Sequence, residues 1–546
     1  MEDTIKVHEN PAPNDLEYPD LYEASVLELQ AGLEAGHFTS VDLVKAYFTR
    51  IDDVNVKGAA LRAVIEVNPS AISQADELDK ERKISGKRSS LHGIPILLKD
   101  NIATIASEGM NTTVGSYSLL GSIVPEDAGV VKRLRQAGAI ILGKANMSEF
   151  AFFRGKNNEL PSGWSGRGGQ CTNAYYPNGD PCGSSSGSGV AASIGLSTVT
   201  LGTETDGSIT CPSSLSNVVG LKPTVGLTSR AGVIPVSLTQ DSIGPMTRSV
   251  EDTAIVLSAI AGKDPNDVVT LSQPSVIPDF TKALNKDALK GKRIGVPRRI
   301  FMDQQVAKNA PYVGSVFEKA LDVLRSLGAT IVDPADLPSA QRMNKAPYEM
   351  IVMETDFKID LNAYLAVLKE SPTGVRSLAD IIKFNDENRN LEQPAGFEGQ
   401  SRLLSAEATA GKDETYLEAL AIDYEYSRAK GIDAALKEHN LDALVLPSVE
   451  SCWSPAAIAG YPIITVPLGF YPDNFPIKLN EQSPTRPISQ APGMPFGISF
   501  FSTAYSEFVL IGFAYAYEQA THTRLARKAY PAAIPKTQLK DVVGSR

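Results

Sequence analysis

The chain has 546 residues, 42% of them hydrophobic and 21% charged, an ordinary globular composition long enough to bury a deep core. Its formal net charge of −11 argues against nucleic acid as a partner, since phosphate binding needs clustered Lys and Arg. No run of about 18 apolar residues occurs, so no membrane-spanning helix is expected.

Residues 1–20, MEDTIKVHENPAPNDLEYPD, are acidic and polar and predict a loose tail. They lack the charged and apolar regions of a secretory leader, so a cytoplasmic location is expected. SVLELQAGLEAG and SVDLVKAYFTRID then read as two amphipathic helices, the first opened by a capping box of Ser25 and Glu28. In LHGIPILLKD, the apolar run at 94–98 predicts a buried strand ending at Lys99. AGVVKRLRQAGAIILGKANMSEF reads as helix, turn and buried strand, an order that points to an α/β protein.

Residues 160–189 are rich in Gly, Pro, Ser and Asn and predict loops. VAASIGLSTVTLGTE gives a small-residue helix and then a short strand at 199–201. SVEDTAIVLSAIAG is a further helix, with Ser249 and Asp252 at its start and Gly262 at its end. GKRIGVP opens a strand, and residues 310–440 read mostly as helices with one strand near ATIVD. LDALVLPS and YPIITVPLGF return to buried strands, SEFVLIGFAYAYEQAT closes the core, and 531–546 read as a C-terminal tail. With no repeat and no long linker, residues 21–530 are expected to form one domain carrying a helical insertion at about 310–440.

Four cysteines, Cys171, Cys182, Cys211 and Cys452, form no C-x-x-C pair. Reduced, partly buried thiols are expected, with a Cys171–Cys182 bond as the lesser reading. No two of the five histidines are spaced to share a metal from one helix, so neither metal nor cofactor is expected.

The stretch CGSSSGSG, 182–189, has three readings. A flexible linker is disfavoured because Val190, Ala191, Ala192 and Ile194 follow at once, as in a packed helix. A phosphate cradle lacks the closing lysine of a P-loop. A nucleophile elbow would centre on Ser185, with His439 or His522 as base, but YYPNGDPC in front of it breaks strands. A second serine, Ser208, follows a strand-like segment and the polar turn TETDGS, whose N–H groups can form an anion nest for an oxyanion. Its base could be Lys99, because burial disfavours the charged form of a lysine. A solvent loop and a snorkelling lysine explain the same residues, and local patterns leave the choice open.

Four segments in order, LHGIPILLKDNI, PCGSSSGSGVAAS, LGTETDGSITCPSSLSNVVGLKPT and GPMTRSVED, resemble the amidase signature family of serine hydrolases. DAGVVKRLRQAGAIILGKANMSEF, LDALVLPS, GYPIITVPLG and GMPFGISF extend the resemblance over most of residues 21–530. SGWSGRGGQ, GSSSGS and GTETDGSI look most like bacterial peptide amidases. The resemblance implies an α/β fold in which a central mixed sheet is covered on both faces by helices. It implies Ser208 as nucleophile, Ser184 as bridging serine behind a cis Gly183–Ser184 peptide, and Lys99 as base. It also implies an oxyanion hole of the N–H groups of Thr205, Asp206, Gly207 and Ser208, with Ser185 and Gly183 supporting the triad. Glu204, Asp206 and Thr210 depart from the common family pattern GTDTGGSIR, and the missing arginine removes an ion pair. Trp164 is a candidate wall of the acyl pocket or, equally, a core residue, and Trp453 reads more strongly as core.

The expected activity is hydrolysis of linear acyl amides, C-terminal peptide amides among them, through a Ser208 acyl-enzyme that releases ammonia or an amine. Carbamates and aryl amides are alternative substrates, and a glutamine-amidase component of an amidotransferase is an alternative role. A small-molecule or peptide amide is the expected partner, and the protein is expected to be a monomer or homodimer.

Overall fold

Runs of consecutive apolar residues bounded by turns become the strands of one eleven-stranded mixed sheet in the computed structural model, which describes residues 18–156, 158–303, 311–343, 346–449 and 451–543. In chain order these strands are β1 (Val64–Val67), β2 (Pro95–Lys99), β3 (Ile140–Ala145), β4 (Val199–Glu204), β5 (Val219–Lys222) and β6 (Ser242–Thr247). They continue with β7 (Arg293–Gly295), β8 (Thr330–Val332), β9 (Ala443–Ser448), β10 (Ile463–Phe470) and β11 (Pro495–Phe501). Their spatial order is β1-β3-β2-β4-β6-β5-β10-β11-β9-β7-β8. Every residue of β2, β3, β4, β5 and β6 is buried, which is why these segments do not alternate apolar with polar: helices cover both faces.

The register at the centre decides where chemistry can sit. β2 runs parallel to β3 and to β4, with Ile96 opposite Val199 and Leu98 opposite Leu201. Two parallel neighbours end at the same sheet edge, so Lys99 emerges beside the end of β4 and the loop after it. Ligand sites of α/β sheets lie at such carboxyl ends. The helix Ser186–Ser193 leads into β4, and the helix Thr210–Leu215 leads away from its loop. The capping box expected of Ser25 with Glu28 forms, and the structure adds a second one, Thr39 with Asp42.

Between residues 311 and 440 the chain is largely helical, with long helices Pro311–Ser326 and Tyr348–Ala366, while β7 and β8 pair in parallel at the sheet edge. Residues 1–17 of the expected N-terminal tail, and 544–546 of the C-terminal one, lie outside the described residues. Over 531–543 the C-terminal segment packs against the start of the domain. Leu539 is fully buried, Arg50 donates to the Thr537 carbonyl at 2.6 Å, and the Gln538 side chain accepts from the Leu21 N–H at 2.9 Å. One apolar anchor and two main-chain bonds hold it against the start of the domain. Among the described residues no helix is long and apolar enough to cross a membrane.

Candidate active site

Lys99 closes β2 with no exposed surface, and its Nζ donates to Ser184 Oγ at 2.7 Å. The other two bonds of the amine go to one residue, the Thr203 carbonyl at 3.0 Å and Thr203 Oγ1 at 2.9 Å. Asn101 Nδ2 donates to the same Thr203 hydroxyl at 3.0 Å, which fixes its rotamer. Burial pulls the Lys99 amine down to about 7, against the opposing pull of the Asp241 and Glu204 carboxylates. Two further buried lysines offer a comparison. Lys144 donates to the Ile102 carbonyl and Thr112, and Lys222 to the Pro223 carbonyl. Of the three, Lys99 alone meets a serine hydroxyl held in the glycine-rich loop.

That loop is tied down on both sides of Ser184. The Gly183–Ser184 peptide is cis. The Ser184 carbonyl accepts from the Ser148 N–H at 3.0 Å, and Ser148 Oγ accepts from the Gly163 N–H at 2.8 Å. A Cβ on Gly183 would lie 2.3 Å from Ser148 Oγ, so only glycine passes here. Ser185 faces the other way: its Oγ donates to the Thr203 carbonyl at 3.1 Å, and its N–H donates to the Ser208 carbonyl at 3.1 Å. The structure therefore joins the two serine loops through Ser185. Neither His439 nor His522 is a partner of that hydroxyl. His439 ends the helix Asp433–Glu438 and His522 the helix Glu507–Thr521.

The loop after β4 turns at Gly207, whose φ is +78. The N–H groups of Thr205, Asp206, Gly207 and Ser208 have no acceptor among the described residues, whereas the next two do. Glu204 takes those two: its carboxylate accepts from the N–H of Ile209 at 2.7 Å and of Thr210 at 2.8 Å. The departure Glu204 thus holds the start of the helix Thr210–Leu215 and leaves the preceding N–H groups unclaimed. Thr205 donates to Asp241, which also accepts from the N–H groups of Val236 and Ser237.

Several residues at the site left little signal in the sequence. Trp453 lies against Gly207, where an added Cβ would come 2.5 Å from the indole Nε1. Trp164, by contrast, is 5% exposed and stacks on Phe397 at 4.8 Å, with the Arg154 guanidinium 5.1 Å over its ring. Cys182 and Cys211 form a disulfide with Cα atoms 5.9 Å apart, and Cys171 and Cys452 are the free, buried thiols. This corrects the expectation of four reduced cysteines and of Cys171 as the partner of Cys182. The two serine loops pack together in space, which brings the residue before Gly183 next to the third residue after Ser208. Asp206 is half-buried and accepts from Ser454 Oγ at 3.0 Å. No group of His, Cys, Asp and Glu suited to a metal ion occurs among the described residues.

The fold and this site define a class, and the chain belongs to the amidase family, whose profile matches residues 42–511. It is an amide-bond hydrolase. Native peptide amidase from Stenotrophomonas maltophilia superposes with a TM-score of 0.81 at 42% identity, covering 94% of this chain and 99% of that one. An Arabidopsis thaliana protein named "Probable amidase" is 42% identical over 510 residues, 92% of this chain and 91% of its own. A glutamyl-tRNA(Gln) amidotransferase component from an Exiguobacterium species is 33% identical over 517 residues, 92% of this chain and 98% of its own. The family expectation and the expected sheet-and-helix fold both hold.

Proposed function

We propose that the protein hydrolyses linear acyl amides, C-terminal peptide amides among them, through an acyl-enzyme on Ser208. The observation that carries this reading is the 2.7 Å bond from the fully buried Lys99 amine to Ser184 Oγ. A lysine held near neutrality can be uncharged at working pH and accept a proton. Lys99 takes the proton of Ser184, Ser184 takes that of Ser208, and Ser208 attacks the amide carbonyl. The unclaimed N–H groups of the 205–208 turn suit the oxyanion that forms. The relay runs in reverse to protonate the departing nitrogen, and water then releases the acid. Ser185 and Gly183 position the loops, and Trp453 and Ser454 border the site more closely than Trp164.

The test is mass spectrometry of the enzyme trapped with an activated ester: an acyl adduct on Ser208 supports the reading, and one on Ser185 or Ser184 sinks it. The likeness to a glutamyl-tRNA(Gln) amidotransferase component gives a second reading, a glutamine-amidase role within a larger assembly. Ammonia release by the purified chain alone, without a partner, decides against it. The cytoplasmic location expected from the N-terminal residues conflicts with Cys182–Cys211, because cytosolic thiols are kept reduced. Thiol trapping in freshly lysed cells distinguishes the two settings. Two free thiols per chain indicate an oxidising compartment, and four a reducing one.

A further inference from the structure

We propose that Asp356, on the helix Tyr348–Ala366, is a positioning residue for amide hydrolysis: through Ser237 and Asp241 it fixes Thr205, the first residue of the oxyanion turn. The inference rests on that turn as the oxyanion hole of a Ser208 acyl-enzyme.

Strands β4 and β6 pair as far as Glu204 and Ser242, so Thr205 and Asp241 face each other just past the last pair. Thr205 Oγ1 donates to Asp241 Oδ1 at 2.5 Å, and Gln240 Nε2 reaches the Thr205 carbonyl at 3.4 Å. The other Asp241 oxygen, Oδ2, accepts from the N–H groups of Val236 at 2.8 Å and Ser237 at 3.1 Å. The Asp241 N–H donates back to the Ser237 carbonyl at 2.8 Å. Ser237 and Asp241 therefore hold each other through main chain and side chain. The carboxylate that grips Thr205 stands wherever Ser237 is placed.

Asp356 does the placing. Ser237 Oγ donates to Asp356 Oδ2 at 2.7 Å, and Thr239 Oγ1 donates to the same oxygen at 3.1 Å. Asp356 is fully buried, and two more donors meet its Oδ1, the Tyr416 hydroxyl at 2.9 Å and Lys412 Nζ at 2.9 Å. One helical turn further on, Asp360 Oδ2 accepts from the Leu238 N–H at 3.0 Å. Two carboxylates on one helix face thus grip three consecutive residues of a segment that has no helix or strand of its own. A buried carboxylate is costly without donors, so the helix and the segment hold each other in register. The oxyanion turn is then fixed at both ends. Glu204 holds the N–H groups of Ile209 and Thr210 after it, and Asp241 holds Thr205 at its start. An oxyanion hole acts through donors set in place before the charge develops. A misplacement of about 1 Å can lower the rate about 100-fold.

The experiment compares the wild type with Asp356→Asn, which keeps the shape of the side chain but replaces one acceptor by a donor. On a dipeptide amide, kcat is expected to fall on the order of 10- to 100-fold while KM changes by less than about threefold. A peptide aldehyde, whose adduct with Ser208 puts its oxygen in the turn, should bind the variant more weakly by a similar factor. The corresponding peptide alcohol forms no adduct and should bind both proteins alike. Ser237→Ala leaves Asp356 its other three donors and should show the same split to a smaller degree, so it decides the matter if Asp356→Asn does not fold. Combined with Thr205→Val, either loss should fail to add, because both act through the one Thr205 hydroxyl. Additive losses, weakening shared equally by aldehyde and alcohol, or an unchanged kcat overturn the proposal. A wild type that binds the aldehyde no better than the alcohol overturns the Ser208 reading and this inference with it.

Discussion

Lys99 and Ser184 form the one contact among the described residues in which a fully buried amine meets a hydroxyl of the glycine-rich loop, at 2.7 Å. The neighbours of the amine set its chemistry. Thr203 offers two oxygens and no charge, so no carboxylate bonds to the amine and desolvation prevails. A base in this state must lose its proton before it works. The value of kcat/KM is expected to rise with pH and to level off above an apparent pKa of about 7. Below that value the ammonium form dominates and activity falls about tenfold per pH unit. A pH–rate profile with its limb near the ordinary lysine range instead would show that burial does not lower the Lys99 amine, and a limb unchanged in position in Lys99→Ala would exclude Lys99 as the working base.

The three side chains are expected to differ in what their removal costs. Ser208→Ala should lose activity by roughly a thousandfold or more and form no acyl adduct. Lys99→Ala and Ser184→Ala should each lose about 10²- to 10⁴-fold in kcat with small changes in KM. Ser185→Ala removes a hydroxyl that braces the Thr203 backbone, donating to its carbonyl and accepting from its N–H, so its loss should be clearly smaller. Steady-state kinetics on one amide substrate ranks the four, and Ser185→Ala as the most damaging would revive the nucleophile elbow.

Gly207→Ala should fail for two reasons at once. Its φ of +78 strains any residue with a Cβ, and that Cβ would meet the Trp453 indole at 2.5 Å. We expect a loss of about 1–3 kcal/mol in unfolding free energy together with a fall in kcat. Trp453→Ala in the same chain relieves the collision but not the backbone, so it should restore stability only in part. Full recovery in the double variant would show that crowding alone matters.

The disulfide should matter for stability and for the site together. Cys182 and Cys211 are 29 positions apart and flank the bridging serine and the nucleophile. Opening the bond by Cys182→Ser with Cys211→Ser is expected to cost about 2–4 kcal/mol, read as a lower urea midpoint. It should lower kcat as well, since the two loops are then joined only through hydrogen bonds such as Ser185 N–H to the Ser208 carbonyl. Unchanged kcat in the double variant would mean those bonds suffice.

Much of this molecule was legible in its residues. The buried strands at 95–99 and 140–145 are built on the apolar runs at 94–98 and in AIILG, the strand expected at 199–201 extends to Glu204, and the helix starts expected at Ser25 and Ser249 are capped by those residues. Family motifs pointed to Lys99, Ser184 and Ser208, because each sits in a short segment whose pattern is local. The parallel register of β2 and β4 brings Lys99 level with the loop after β4.

What the chain order conceals are pairings made through space. Thr203 holds the Lys99 amine, Trp453 shapes the Gly207 turn, and Cys182 finds Cys211 rather than Cys171. None of these leaves a period or a spacing in the sequence, since a side chain meets its partner only after the strands and helices have packed. Local patterns specify which segments are buried and what each residue can do. Only tertiary packing specifies which of those residues meet, because burial and distance set the charge on Lys99.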